Sequence, residues 1–152
     1  MNIIQNYIYI KNNIENLNRN TKLILVSKNQ DSEKIKLLLE LGHCDFGENK
    51  IQEAKVKWAV ELKNYKNVNL HLIGKLQSNK AKDAFQIFNF IHTLDNDKLA
   101  KIFSNLENDN KKKVNYFIQV NIGDESQKNG IACSKVSEFT KYCKFDLKLN
   151  II

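Results

Sequence analysis

Lys28 is the residue whose type and position best suit covalent chemistry in this sequence. It follows Ser27 at the end of the apolar run Leu23–Val26, so a buried strand would present its amine at the strand's carboxyl end. We expect partial desolvation there, which favours the neutral amine that forms a Schiff base with an aldehyde. Position alone also fits a lysine that simply leaves the strand for solvent, and it favours this second interpretation.

Polar residues also follow each of the next four predicted strands. These segments are Gly47–Asn49, Gly74–Asn79, His92–Asp95 and Gln119–Gly130. Because the carboxyl ends of parallel strands meet at one face, the polar segments together predict a ligand site there. Asn49 has two interpretations, a ligand contact or a helix cap that pairs with Gln52 three residues later.

Metal chemistry has little support in the sequence. His43, His71 and His92 lack the spacing of a metal site, and we interpret them as isolated structural residues near strand ends. The three cysteines are an odd number without a CxxC pair, which argues against a disulfide framework and a zinc site. The sequence therefore predicts no metal, and it assigns no catalytic residue.

The elements that must position these residues alternate between strand and helix. The first helix should end near 18–20, Asp31 and Asp95 should cap later helices, and Gly47 should close the second strand. The predicted strands are Leu23–Val26, Cys44–Phe46, Leu70–Ile73, Phe90–His92, Val114–Val120 and Leu147–Ile152. This alternation predicts parallel βαβ units, in a doubly wound sheet or a (β/α)8 barrel. A barrel typically needs about 250 residues, so about five or six units would leave it incomplete.

The length of 152 residues predicts a single domain, and the composition predicts a soluble protein. The net charge of +7 would favour polyanions, but Arg19 is the only arginine, which argues against nucleic acid as a partner. No apolar run approaches the roughly 20 residues of a membrane-spanning helix. The amino terminus lacks the pattern of a secretory signal, so we expect a cytoplasmic protein.

Five motifs together resemble the pyridoxal phosphate homeostasis (YggS/PROSC) family. They are LILVSK, HCDFGENKIQEA, HLIGKLQSNKAK, IHTLDNDKLA and FIQVNIGDESQKNGI, in the order and spacing of that family. The resemblance implies an α/β fold, the (β/α)8 TIM barrel of the alanine racemase N-terminal type. It implies that residues 1–152 are one such domain, incomplete at its carboxyl end.

The same resemblance implies a cofactor and its site. Pyridoxal 5'-phosphate would be held as a Schiff base on Lys28, with Asn49 beside it, in a non-catalytic protein of intracellular vitamin B6 homeostasis. Family members continue for several strands that supply the turns and the arginine around the phosphate. We therefore expect this polypeptide alone to bind the cofactor weakly, because such contacts dominate affinity for a dianion.

Three alternatives remain open at this point. The chain could be a racemase-like pyridoxal phosphate enzyme, although a racemase needs a second acid or base on the opposite face of the cofactor. It could be a basic nucleic-acid-binding module, which would bind with a steep salt dependence. It could also be a truncated fragment without a function of its own. We expect a monomer or a weak oligomer.

Overall fold

A six-stranded parallel sheet forms the centre of the computed structural model, which describes residues 2–17, 20–123, 125 and 127–152. The helices are α1 (Ile3–Asn16), α2 (Ser32–Glu40), α3 (Ile51–Asn64), α4 (Ala81–Ile87), α5 (Asp97–Asn110) and α6 (Val136–Lys141). The strands are β1 (Leu25–Val26), β2 (Asp45–Glu48), β3 (Asn69–Leu72), β4 (Phe90–Leu94), β5 (Asn115–Ile118), β6 (Val120–Asn121), β7 (Ile131–Ala132) and β8 (Asn150–Ile151).

Strand order distinguishes the two folds that the sequence left open. The main sheet runs β1-β2-β3-β4-β5-β8, and every neighbouring pair is parallel. A doubly wound sheet reverses its strand order at a switch point, whereas a barrel wall adds strands in one direction. The observed order is that of a barrel wall, with β6 and β7 as a separate parallel pair beside it.

The core lies between the sheet and its helices. Phe46 of β2 packs against Trp58 of α3 with ring centroids 4.9 Å apart, and both side chains are fully buried. Phe103 of α5 packs in the same way on Tyr116 of β5, at 5.1 Å. Every second residue of a strand faces this layer, so the alternate residues face the interior of the barrel wall.

Two predicted helix caps differ from the structure. Asn96, and not Asp95, caps α5, because its Oδ1 accepts the amide hydrogen of Leu99 at 2.9 Å. The Asp95 carboxylate instead accepts a hydrogen bond from Asn96 Nδ2. Asp31 does occupy the N-cap position of α2, but its side chain makes no capping bond to the described part of the chain.

Several predicted strand boundaries also differ. Gly47 does not close the second strand, since β2 continues through it to Glu48. The single strand expected over 114–120 is divided into β5 and β6, which belong to different sheets. The last strand is limited to β8, because a π-helix at Tyr142–Asp146 and a turn precede it. The expected end of the first helix includes Asn18 and Arg19, which lie outside the described residues.

No helix within the described ranges is long and apolar enough to cross a membrane.

Candidate functional site

Lys28 lies in a turn that follows β1 at the carboxyl edge of the sheet. Ser27 is buried and its amide donates to Gly47 O at 2.9 Å, which extends the β1–β2 pairing by one residue. Lys28 itself is exposed, so the expected partial desolvation is wrong. The reason is that β1 is the edge strand of the described sheet, and no described strand covers its other side. Asn29 then adopts a left-handed conformation with φ of 56°.

A buried cationic side chain lies directly beneath this turn. Lys57 Nζ of α3 donates to Ser27 O at 2.6 Å, to Glu53 Oε1 at 2.7 Å and to Glu48 Oε1 at 3.0 Å. The side chain of Lys57 is only 8% exposed, and that of Glu48 is fully buried. Residues Ser27, Glu48, Glu53, Lys57 and Trp58 are called the Lys57 cluster below.

Glu48 connects the Lys57 cluster to the core. Its Oε1 also accepts hydrogen bonds from Ser27 Oγ at 2.7 Å and from Trp58 Nε1 at 3.0 Å. Its Oε2 has no hydrogen-bond partner in the part of the chain that the structure describes. A fully buried carboxylate needs such donors and a counter-charge to offset its desolvation, and Lys57 supplies the counter-charge.

Glu53 links the cluster to the other side of Lys28. Its Oε1 accepts the backbone amide hydrogen of Asn29 at 2.7 Å. The hydrogen bonds from Lys57 and then from the Asn29 amide lower the pKa of Glu53 from its usual value. The carboxylate is therefore held in its charged form at the position where it binds the turn.

Asn49 follows β2 and lies beside the end of β3. Its Oδ1 is buried and has no hydrogen-bond partner among the described residues. The predicted capping box with Gln52 is wrong, because α3 begins one residue later with Lys50 at its N-cap and no side-chain cap within the described ranges. Gly74 approaches so closely that a Cβ added there would lie 2.1 Å from Asn49 O.

Lys28 and Asn49 follow neighbouring parallel strands at the same edge of the sheet. Val26 pairs with Gly47, and after Ser27 the backbone enters the turn that carries Lys28, while Asn49 follows the end of β2. The residues that directly follow β3, β4 and β5 lie at this edge, namely Ile73, Asp95 and Gln119, whereas His92 of the predicted segment His92–Asp95 lies within β4. The arrangement offers an exposed primary amine after β1 and, after β2, a buried amide oxygen that lacks a donor among the described residues.

His71 and His92 lie within β3 and β4, on the interior face of the sheet. His71 Nε2 lies 3.0 Å from Asp45 Oδ1, and His71 Nδ1 lies 2.9 Å from His92 Nε2. Asn69 Nδ2 also donates to Asp45 Oδ1, at 3.1 Å. The sequence suggested isolated histidines. Instead, His71 and His92 are hydrogen-bonded to each other. Asp45, Asn69, His71 and His92 are called the histidine cluster below.

Burial determines the protonation of the histidine cluster. Desolvation lowers the pKa of His71 from its usual value in spite of the Asp45 carboxylate, and desolvation together with His71 lowers the pKa of His92 to about 4. Both imidazoles are stacked on phenylalanine rings, His71 on Phe90 and His92 on Phe117. Among the described residues, no group of three or more His, Cys, Asp or Glu side chains could hold a metal ion.

Sequence reasoning missed the Lys57 cluster. Its one local signal is the Glu53–Lys57 spacing of four residues, which is common on exposed helix faces and carries no functional information. Glu48 could have been noticed as a carboxylate that directly follows a buried strand. The contacts from Lys57 to Ser27 and from Trp58 to Glu48 span 30 and 10 residues, and they depend on how α3 packs on the sheet.

Comparison with known proteins identifies the fold family. The model of the alanine racemase N-terminal domain family matches residues 2–152, and the chain belongs to this family. The fold is therefore the β/α barrel of that family, and the main sheet contains six of the barrel's strands across the described residues. This confirms the fold class expected from the sequence.

Individual relatives agree with the resemblance found in the five motifs. The chain is 38% identical over 129 residues to the pyridoxal phosphate homeostasis protein of Buchnera aphidicola subsp. Schizaphis graminum (strain Sg), covering 85% of this chain and 56% of that protein. It is 36% identical over 143 residues to the protein of the same name from Haemophilus influenzae (strain ATCC 51907 / DSM 11121 / KW20 / Rd), covering 93% and 60%.

Solved structures of one protein are also similar. PipY of Synechococcus elongatus PCC7942 is 31% identical to this chain and has been solved without and with PLP bound. The TM-scores are 0.77 and 0.70, over 86% and 80% of this chain and 60% and 57% of PipY. The chain thus spans a little more than half the length of these relatives.

Proposed function

We propose that this chain binds pyridoxal 5'-phosphate as a Schiff base on Lys28, with Asn49 beside the cofactor. The observation that carries this proposal is an exposed lysine amine after β1 and, after the neighbouring strand β2, a buried amide oxygen that has no hydrogen-bond partner among the described residues. The names of the relatives and the PipY structure with PLP bound support it.

The residues at this edge of the sheet fit such a molecule. When bound, the cofactor supplies an aldehyde that condenses reversibly with a primary amine and releases one water. Lys28 would supply the amine, and the hydrogen bonds at Ser27 and Asn29 would hold the turn that carries it. Asn49 Oδ1 would accept a hydrogen bond from the bound molecule, which would satisfy an otherwise costly buried acceptor.

We propose a non-catalytic role in intracellular pyridoxal phosphate homeostasis, exercised in the cytoplasm. The support is the name shared by the curated relatives. Incubation with L-alanine and the cofactor should give no sustained formation of D-alanine. Sustained turnover would instead favour a racemase-like enzyme.

The residues of this chain would bind chiefly the aldehyde end of the cofactor. We therefore propose that this polypeptide, as one β/α barrel segment, binds the cofactor weakly and that the phosphate group contributes little to the affinity. Pyridoxal and pyridoxal phosphate should then differ in affinity by less than about tenfold, which corresponds to about 1.4 kcal/mol. A much larger preference for the phosphate ester would show that described residues bind the phosphate as well.

Covalent mapping tests the attachment site directly. The protein is titrated with pyridoxal phosphate, the visible absorbance of the Schiff base is recorded, and the product is reduced with borohydride and mapped by mass spectrometry. We expect the label on Lys28 and its loss in Lys28→Ala. Lys34→Ala, which removes another exposed lysine just beyond the turn, should keep both the band and the label. A label that stays on a different lysine in Lys28→Ala would disprove the proposal.

A further inference from the structure

We infer that Lys57 is a positioning residue for the Lys28 turn, acting through the backbone on both sides of Lys28. This inference rests on the proposed cofactor binding at Lys28, which it extends to residues that do not touch the cofactor. Lys57 is a second lysine close to the site in structure, yet its ammonium is buried and directed at protein acceptors.

Both neighbours of Lys28 are fixed by the same side-chain group. Lys57 Nζ binds the carbonyl oxygen of Ser27 directly, at 2.6 Å. The amide of Asn29 is bound at 2.7 Å by the Glu53 oxygen that Lys57 also contacts. Lys28 therefore lies between two backbone groups that share one cation as their anchor.

The conformation of the turn explains why an anchor is needed. Asn29 has a φ of 56°, in the left-handed region that costs free energy for any residue with a side chain, although asparagine tolerates it better than most. Since Lys28 and Asn29 are exposed, packing does not hold this conformation. Two hydrogen bonds favour it, from the Asn29 amide to Glu53 Oε1 and from the Gln30 amide to Ser27 O at 3.1 Å, and Lys57 contacts the acceptor of each.

Lys57 is well matched to this task because all of its donors are used. An ammonium has three hydrogens, and here they meet three acceptors, namely Ser27 O, Glu48 Oε1 and Glu53 Oε1. Glu48 is in turn bound to Trp58 in the core, so the position of Lys57 is set from the interior. This series of hydrogen bonds thus connects the core to the backbone that carries the Lys28 amine.

The cost of the arrangement suggests a role beyond stability. Buried ion pairs are a weak source of folding stability compared with well-packed apolar residues, because two charges must leave water. This pair lies at the carboxyl ends of the strands, where the cofactor is proposed to bind, and it contacts the residues on either side of Lys28. A fixed turn increases the fraction of time in which the amine is presented correctly, which favours covalent attachment.

The test compares Lys57→Met with Lys55→Met. Methionine keeps most of the length of lysine and removes the ammonium, and Lys55 is a matched control on the same helix that pairs with Asp83 at 2.6 Å, away from the turn. Hydrogen exchange of the Asn29 amide is measured without cofactor, and affinity for pyridoxal phosphate is measured from the visible band. In Lys57→Met we expect exchange to be at least about tenfold faster and affinity at least about tenfold weaker, as for a lost hydrogen bond to a charged group. Lys55→Met should match the wild type.

Glu53 provides a second variant that does not leave Glu48 unpaired. Glu53→Ala removes the acceptor of Asn29, while the contacts of Lys57 to Glu48 and Ser27 remain, so it should fold even if Lys57→Met does not. It should show faster Asn29 exchange and weaker cofactor binding, and Glu53→Gln, which keeps a side-chain oxygen, should recover part of both.

The outcomes separate this inference from the proposed function. A wild-type protein that forms no Schiff base would disprove the proposed function, while Asn29 exchange would still report on the anchor. The positioning role would be overturned if the wild type binds pyridoxal phosphate and if Glu53→Ala and a folded Lys57→Met bind it with the same affinity. Faster exchange without weaker binding in Glu53→Ala would overturn it too.

Discussion

The sheet carries two polar clusters, buried or half-buried, that differ in their charged groups and in the face of the sheet on which they lie. The Lys57 cluster lies at the carboxyl ends of β1 and β2, on the face covered by α3, and it contains a cation with two carboxylates. The histidine cluster lies within β2 to β4, on the interior face. It joins Asp45 to two imidazoles whose pKa values are lowered by burial.

The difference indicates what each cluster contributes. The Lys57 cluster contacts backbone groups that flank an exposed amine, so its hydrogen bonds determine the geometry of a surface turn. The histidine cluster contacts its own members, neighbouring aromatic rings and Lys22, whose Nζ lies 3.3 Å from Asp45 Oδ1, so it fills the interior of the barrel wall. Hydrogen-bonded charged and polar side chains thus support the backbone of the candidate site in one cluster and the packing of the interior in the other.

The largest effect should come from the buried carboxylate of the Lys57 cluster. Glu48→Ala leaves Lys57 without its buried counter-charge and Trp58 Nε1 without an acceptor, and we expect a loss of about 3–5 kcal/mol of folding stability. Asp45→Ala in the histidine cluster, where the carboxylate is 14% exposed, should cost less, about 1–3 kcal/mol. Urea unfolding at pH 7.5 measures both, and a greater loss in Asp45→Ala would reverse the comparison.

Acid should affect the histidine cluster first. The pKa of His92 is about 4 in the folded protein and 6.5 as the unperturbed value, so the unfolded chain binds its proton at higher pH. Stability is therefore complete above about pH 6.5 and falls as the pH decreases towards 4, by about 1 kcal/mol between pH 7.5 and 5.5.

His92→Gln provides the check on this pH dependence. The variant cannot take up a proton at this position, so its stability should change less between the two pH values than that of the wild type. Urea midpoints at pH 7.5 and pH 5.5 measure the difference. Equal pH dependence in both proteins would show that other groups are responsible.

The smallest effect on stability should come from Asn49. Its Oδ1 makes no hydrogen bond to the described residues, so Asn49→Ala should change folding stability by less than about 0.5 kcal/mol. Cofactor affinity should nevertheless fall about fivefold, the equivalent of one hydrogen bond of about 1 kcal/mol. Asn69→Ala in the histidine cluster removes a bond to Asp45 and should show the opposite pattern, lower stability with unchanged affinity.

The sequence alone determined the order of elements and the location of the candidate site. The alternation of apolar runs and helical spacing predicted parallel βαβ units, because buried strands and one-sided helices leave different sequence patterns, and the five motifs then indicated the barrel. The five motifs indicated the cofactor, whereas the position of Lys28 by itself favoured an ordinary exposed lysine. Boundaries at Gly47, at the division of the fifth strand and at the α5 cap were predicted less well, since hydrogen-bonding geometry decides them.

Only the tertiary structure decided what supports Lys28. The exposure of its amine follows from the edge position of β1, and the burial of Asn49 Oδ1 without a described hydrogen-bond partner depends on how the ends of the neighbouring strands pack. In the sequence, nothing distinguishes Lys57 from the other lysines on predicted helices. It becomes the anchor of the turn because α3 packs Trp58 on β2 and thereby brings an ammonium to a carbonyl 30 residues away, a contact that no local pattern encodes.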